Sequence, residues 1–227
     1  MNVIEKNFRF RAGNLIGNSK LLFPLNAYRA AYKKKIVGAD SDCCIEGFQR
    51  SGSSFFVLLF NRANKSVKLA HHTHASAQVI RAVNYKVPTI VLIRKPEDVI
   101  ASLLAWDSKL KINLALGAYI NFHQKILAYK VGYMLVDFED VTESPAKVVT
   151  ALNSRFGTDF KFPKFSEDKL NLIKQNINLR NEVFMSPLPT PEKESAKELF
   201  RLEIERSPKL LKANKLYEQF YKHRHLF

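Results

Sequence analysis

Two cysteines are all that this 227-residue chain contains, and they are neighbours, Cys43 and Cys44. Adjacent cysteines rarely close a comfortable disulfide, so covalent cross-linking is excluded as the source of stability and a reducing compartment is expected. No run of 18 or more apolar residues is present to span a membrane, and no charged-then-apolar leader with a small-residue cleavage site opens the sequence. The expectation is a soluble, cytoplasmic protein. Acidic residues are scarce, with 21 Asp and Glu against 36 Lys and Arg, a formal net charge of +15. That imbalance implies an anionic partner, which charge alone leaves open among nucleic acid, a membrane surface and a small polyanion. Zinc-finger spacing and an RRM signature are both missing, and so are repeats and low-complexity tracts. What the chain does have is a hydrophobic content of 46%, enough for one substantial α/β core. A single domain is expected over 1–227, with its core at about 42–160 and a basic helical region at about 161–227.

From residue 42 onward the pattern alternates. It predicts strands at 42–48, 66–70, 88–94 and 133–138, and helices at 53–62, 76–85, 96–106, 112–129 and 145–156. Pro96 and Pro145 suit first helical positions and Gly157 suits a C-terminal cap. The fold class this implies is a three-layer α/β/α protein with a central, mainly parallel sheet of P-loop type and extra helices at both termini. Leu21 to Tyr32, turning basic at Lys33-Lys34-Lys35, predicts a helix packed on the core, with peripheral membrane contact as its alternative use. Ser186-Pro187-Leu188-Pro189-Thr190-Pro191 predicts an extended loop.

Three segments carry chemistry. In Cys43 to Phe56 an apolar run breaks at Gly47-Phe48-Gln49-Arg50-Ser51-Gly52-Ser53-Ser54 and re-emerges as a hydrophobic helix, the architecture of a phosphate cradle. The spacing follows the P-loop frame G-x-x-x-x-G-K-S/T, with serine where lysine should stand. The loop therefore suits an anion but lacks the cation that reaches the outer phosphates of ATP. Next, the β-branched run Thr89 to Ile93 delivers Arg94 to the edge where open α/β sheets bind ligands, and Ser102 falls on the flank of the following helix, so the two are placed to grip one phosphate. Third, His71-His72-Thr73-His74 closes the second predicted strand. In an extended conformation His72 and His74 point the same way. Zinc would want further protein ligands that this segment lacks, so no metal is expected and proton transfer is favoured.

These segments, in this order, resemble the sulfotransferases that use 3′-phosphoadenosine 5′-phosphosulfate (PAPS). Arg50-Ser51-Gly52-Ser53-Ser54 matches their K/R-S-G-S/T-S/T loop for the 5′-phosphosulfate, followed by an aromatic position held here by Phe55. Arg94, Pro96, Asp98 and Ser102 match R-x-P-x-D-x-x-x-S, which holds the 3′-phosphate, and His72-Thr73-His74 is similar to K-T-H, whose histidine is the general base. Leu135 to Val141 resembles the Y-E-D-L segment and Arg155-Phe156-Gly157 the F-L-G helix ending.

The resemblance covers roughly 42–160 and implies PAPS as donor, 3′-phosphoadenosine 5′-phosphate (PAP) as product, and an acceptor hydroxyl or amine that the sequence leaves unidentified. It assigns His74 as base, and Arg50 and His72 as groups assisting the leaving sulfuryl. It assigns Ser51, Gly52, Ser53, Ser54, Phe55, Arg94 and Ser102, with Arg50, as nucleotide ligands. His72 departs from the family lysine. The C-terminal R-K-G-x-x-G-D-W-K closure is absent, leaving Arg180, Lys193 and Lys197 as substitutes. Two other readings of the residues remain: a P-loop kinase or NTPase with Met134 to Asp137 as its hhhD strand, and a basic module binding RNA or anionic lipid.

Overall fold

The computed structural model describes residues 2–28, 35–162 and 191–225. Four short strands, β1 (Cys43–Gly47), β2 (Leu69–His71), β3 (Thr89–Ile93) and β4 (Met134–Asp137), form one sheet in the order β2-β1-β3-β4, with every pairing parallel. The register sets Ile45 opposite His71, Gly47 opposite Leu92 and Ile93 opposite Asp137. The carboxyl ends of all four strands therefore share one edge.

Side chains on the two faces go to separate layers. Cys43, Ile45, Ile90, Leu92, Met134 and Val136 pack under α2 (Ser53–Ala63) and α7 (Pro145–Phe156), through Phe56, Phe60, Val148 and Leu152. Val91, Ile93 and Leu135 face the opposite layer, built from α3 (Ser76–Asn84), α4 (Pro96–Trp106), α5 (Ile112–Leu127) and the C-terminal helix pair (Pro191–Glu205 and Pro208–Tyr221). A sheet covered on both sides explains why its strands read as continuous apolar runs. Burying each Phe of α2 stabilises the fold by roughly 1.5–3 kcal/mol, and both cysteines are buried and free. The predicted α/β/α architecture is borne out. Pro96 and Pro145 open their helices, and Gly157 caps α7 at φ 65°.

Several local expectations are corrected. Of the helix predicted at 21–32, residues 29–32 lie outside the described residues, and the described part holds only a 3₁₀ turn, Phe23–Tyr28. Phe23, packed against Ala75, Ala77 and Ile36, and Asn26 are its buried residues, while Leu21 and Tyr28 are each 88% exposed. Lys33 and Lys34 lie outside the described residues, as do Arg180 and 186–190 of the predicted loop. A helix at Val3–Gly17, capped by the side chain of Asn2, precedes this turn. Beyond β4 a short helix, α6 (Phe138–Glu143), forms where Asp137 and Asp140 make a reciprocal capping box. The second strand runs Leu69–His71 rather than 66–70.

One buried group makes the fold pH-sensitive. His123 on α5 sits among Phe48, Tyr119, Phe122 and Phe220, with Nδ1 donating to the Tyr119 carbonyl at 2.8 Å. Burial pushes its pKa down from 6.5 to about 4. The unfolded chain protonates this histidine near 6.5 and the folded chain only near 4, so stability is highest above pH 6.5 and falls as pH drops towards 4. The contribution lost is on the order of 3 kcal/mol. Thermal unfolding of His123→Phe should show a shallower loss of stability than the parent chain over that interval. Parallel curves would contradict the assignment.

Candidate functional site

The three segments meet at the carboxyl edge of the sheet. β1 ends at Gly47, where a β-carbon would lie 2.7 Å from the Leu92 carbonyl oxygen, so only glycine fits beside β3. The chain then turns tightly, with the Ser51 amide donating to the Phe48 carbonyl at 3.3 Å. It crosses two left-handed residues, Arg50 at φ 69° and Gly52 at φ 90°. No side chain caps α2, so its first amides remain available to an anion. Ser51 is fully buried, and its hydroxyl has no partner among the described residues. Ser53 is buried, and Ser54 is exposed. Phe55 packs against Leu58, Leu59 and Phe162, so its ring is a core group and only its amide belongs to the loop.

Arg94 leaves β3 towards this loop. Its Nη1 donates to the Arg50 carbonyl at 3.2 Å, its guanidinium lies 3.9 Å from the centre of the Phe138 ring, and its own carbonyl accepts from the Tyr119 hydroxyl at 3.0 Å. The Arg50 side chain crosses the site, its Nε donating to Ser102 Oγ at 3.0 Å. The structure thus brings Arg50, Arg94 and Ser102 together, and the direct partner of Ser102 is Arg50, whereas the sequence pairs that serine with Arg94.

Neither arginine has an ion-pair partner among the described residues. The carboxyls near Arg94 are already engaged, since Asp98 pairs with Arg201 at 2.9 Å and Glu139 shares a hydrogen bond with Asp137. That sharing, ahead of burial, pushes Glu139 up to about 7. Burial lowers the pKa of both arginines, and the charge of Arg94 adds to the effect on Arg50. Two partly desolvated cations whose neighbouring acids are occupied form a site of positive potential that an anion relieves.

The histidine segment is not extended, which corrects the expectation: His72 and His74 take left-handed φ values of 55° and 51°. Their rings still come together, 5.8 Å between centres. His72 bonds Ser54 Oγ through Nε2 at 3.1 Å and His71 through Nδ1 at 2.6 Å. Burial, then the neighbouring His74 and His71, pushes its pKa down to about 3. It is neutral at pH 7. His74 bonds the Gly47 carbonyl through Nδ1 at 2.9 Å. Among the described residues no group of three or more His, Cys, Asp or Glu is arranged to hold a metal ion.

No family model and no curated protein matches the chain. Among solved structures it is similar to mouse sulfotransferase SULT7A1 complexed with PAP, at 10% sequence identity and a TM-score of 0.45, over 84% of this chain and 92% of that one.

Glu46 was not anticipated as part of the site. It is fully buried in β1, and its carboxylate accepts from the Thr73 amide (2.7 Å), the Thr73 hydroxyl (2.9 Å), the His74 amide (3.0 Å) and Gln78 Nε2 (3.0 Å). The signal available was the one acidic residue inside an otherwise apolar strand, since buried charge is the informative exception. Asp137, the candidate metal-binding acid of a P-loop NTPase, is occupied by the α6 cap and by the Tyr217 hydroxyl at 2.9 Å. Lys197 pairs with Glu194 at 2.5 Å, and the side chain of Lys193 lies outside the described residues. A separate cleft of about 840 Å³, lined by Asp42, Asn64, Lys65 and Thr158 among others, opens at the amino-terminal end of β1, away from these groups. Among the described residues no helix is long and apolar enough to cross a membrane.

The loop geometry has a direct test. A β-carbon at residue 52 would lie 3.0 Å from Phe138 and sit on a left-handed backbone. Gly52→Ala should cost about 1–3 kcal/mol in urea unfolding. An unchanged midpoint would show that the turn is not constrained.

Proposed function

We propose that the chain is a sulfotransferase that takes PAPS as donor and passes the sulfuryl group to an acceptor hydroxyl or amine. The observation that carries this reading is the convergence of Arg50, Arg94 and Ser102 on one anion-receptive turn, with neither arginine ion-paired among the described residues. Two guanidinia and an uncapped helix end fit a ligand with a phosphate at each end, and the unpartnered hydroxyl of buried Ser51 supplies a further donor.

When bound, PAPS supplies an activated sulfuryl group whose bond to the bridging oxygen breaks as the acceptor oxygen or nitrogen bonds to sulfur. Arg94 and Ser102 hold the 3′-phosphate, while the amides of residues 52–55 and the Ser53 and Ser54 hydroxyls hold the 5′ end. Arg50, which bonds Ser102 in the structure, releases that hydroxyl to the phosphate and turns its guanidinium to the charge developing at the leaving oxygen. A carbonyl can only accept, so the Nδ1 of His74 carries the hydrogen bonded to Gly47 and Nε2 presents a lone pair to the acceptor proton. His72, held neutral, orients Ser54.

Calorimetric titration with PAP, compared with ATP and magnesium, tests the donor. PAP should bind well and ATP poorly, and Arg94→Ala should weaken PAP by more than ~1.5 kcal/mol, the worth of a charge-assisted contact. Equal affinity for both nucleotides would overturn the reading. His74→Ala should keep PAP affinity yet abolish release of PAP from PAPS, because it removes a group that acts only in the transfer step. Full turnover in that variant would remove His74 as base.

A further inference from the structure

Two residues of β1 hold the histidine segment by different means. The Gly47 carbonyl takes the His74 ring, and the Glu46 side chain, one residue earlier, takes the backbone on which that ring is mounted. The successive amides of Thr73 and His74 converge on one carboxylate, as they would on a bound anion. They are flanked by left-handed φ values at His72 and His74, a conformation that costs a non-glycine residue about 1–2 kcal/mol each. Such a backbone persists only where its surroundings over-determine it. Here they do so from the inside, because Glu46 is fully buried and Gln78 on α3 donates to the same carboxylate from behind.

We propose that Glu46 is a positioning residue whose carboxylate clamps the Thr73-His74 backbone so that Gly47 holds the His74 ring as its Nδ1–H tautomer, with Nε2 directed to the ligand edge. This inference deepens the sulfotransferase reading and rests on it for the role of Nε2. The clamp itself rests on the hydrogen bonds alone. Its logic is local. One oxygen, Oε1, serves both donors of Thr73 and Gln78, and the other, Oε2, serves the His74 amide. An amide in place of the carboxylate turns an NH₂ group towards at least one of these donors, and the loop loses the contact that offsets its left-handed turns.

The test uses the full chain and Glu46→Gln. Long-range ¹H–¹⁵N spectra report the tautomer of His74, whose signals are identified by their disappearance in His74→Ala. The parent chain should show the Nδ1–H form, and Glu46→Gln should show a mixture or the Nε2–H form. Release of PAP from PAPS should fall by about tenfold or more with PAP affinity changed less than about threefold, since only the alignment of the base is lost. An Nδ1–H tautomer retained in Glu46→Gln, or turnover equal to the parent's, would overturn the proposal. If Glu46→Gln does not fold, Thr73→Val removes a single donor to the same carboxylate. It should lower turnover by a smaller factor at constant PAP affinity, and unchanged turnover there overturns the clamp. Failure of the parent chain to bind PAP would instead sink the sulfotransferase reading, while the tautomer spectra would still judge the clamp.

Discussion

β1 is hydrogen-bonded on both sides, to β2 and to β3, and both pairings are parallel. Everything at the site depends on that double pairing. Parallel strands that share a register must end at the same edge, so the Gly52 turn, the histidine segment and Arg94 are delivered side by side although Gly52 and Arg94 are 42 positions apart. The helices between them cover both faces and leave the loops nowhere to go but that edge. Gly47 tightens the arrangement further, because its missing side chain lets the Leu92 carbonyl approach closely.

The electrostatics follow from the same packing. Arg50 and Arg94 are partly removed from water, and the carboxyls that might have balanced Arg94 are committed elsewhere, Asp98 to Arg201 and Glu139 to Asp137. The site therefore holds positive charge at a desolvation cost that an anionic ligand offsets. On the other side of the same loop charge works in reverse. A buried carboxylate, Glu46, is surrounded by donors, and the backbone it gathers carries His74. Left-handed residues gather in these two loops, at Arg50, Gly52, His72 and His74, while Lys86 and the helix cap Gly157 lie elsewhere. Strain concentrated where ligands bind is the expected mark of a site whose geometry is imposed by its surroundings.

Much of this was legible along the chain. The apolar runs ending in Gly47 and Arg94, the prolines opening α4 and α7, and the alternation of strands with helices each have a local cause, so periodicity and turn chemistry revealed them. Placing those elements on one edge put Arg94 and Ser102 near the loop, while the bond from Arg50 to Ser102 came only from the structure. What failed did so for reasons beyond local pattern. Leu21 to Tyr32 has the composition of a helix, but its described part is a 3₁₀ turn that buries only Phe23 and Asn26. Alternation, the default after a strand, predicts an extended His72 and His74, whereas a carboxylate from a neighbouring strand binds that backbone in left-handed turns. Phe55 reads as a ligand position and is a core residue, its ring on the packed side of α2.

The amino-acid sequence by itself determined which residue types are available to the site and the order in which strands carry them to the edge, since backbone propensity and burial pattern act over a few residues at a time. Only the tertiary structure decided their state. Burial holds His72 neutral, and a carbonyl of β1 selects the tautomer of His74. Arg201 takes the ion pair with Asp98, an acid whose charge also reaches Arg94. Protonation, tautomer and ion pairing depend on which groups from distant parts of the chain come within hydrogen-bonding distance, and on how much water they exclude when they do.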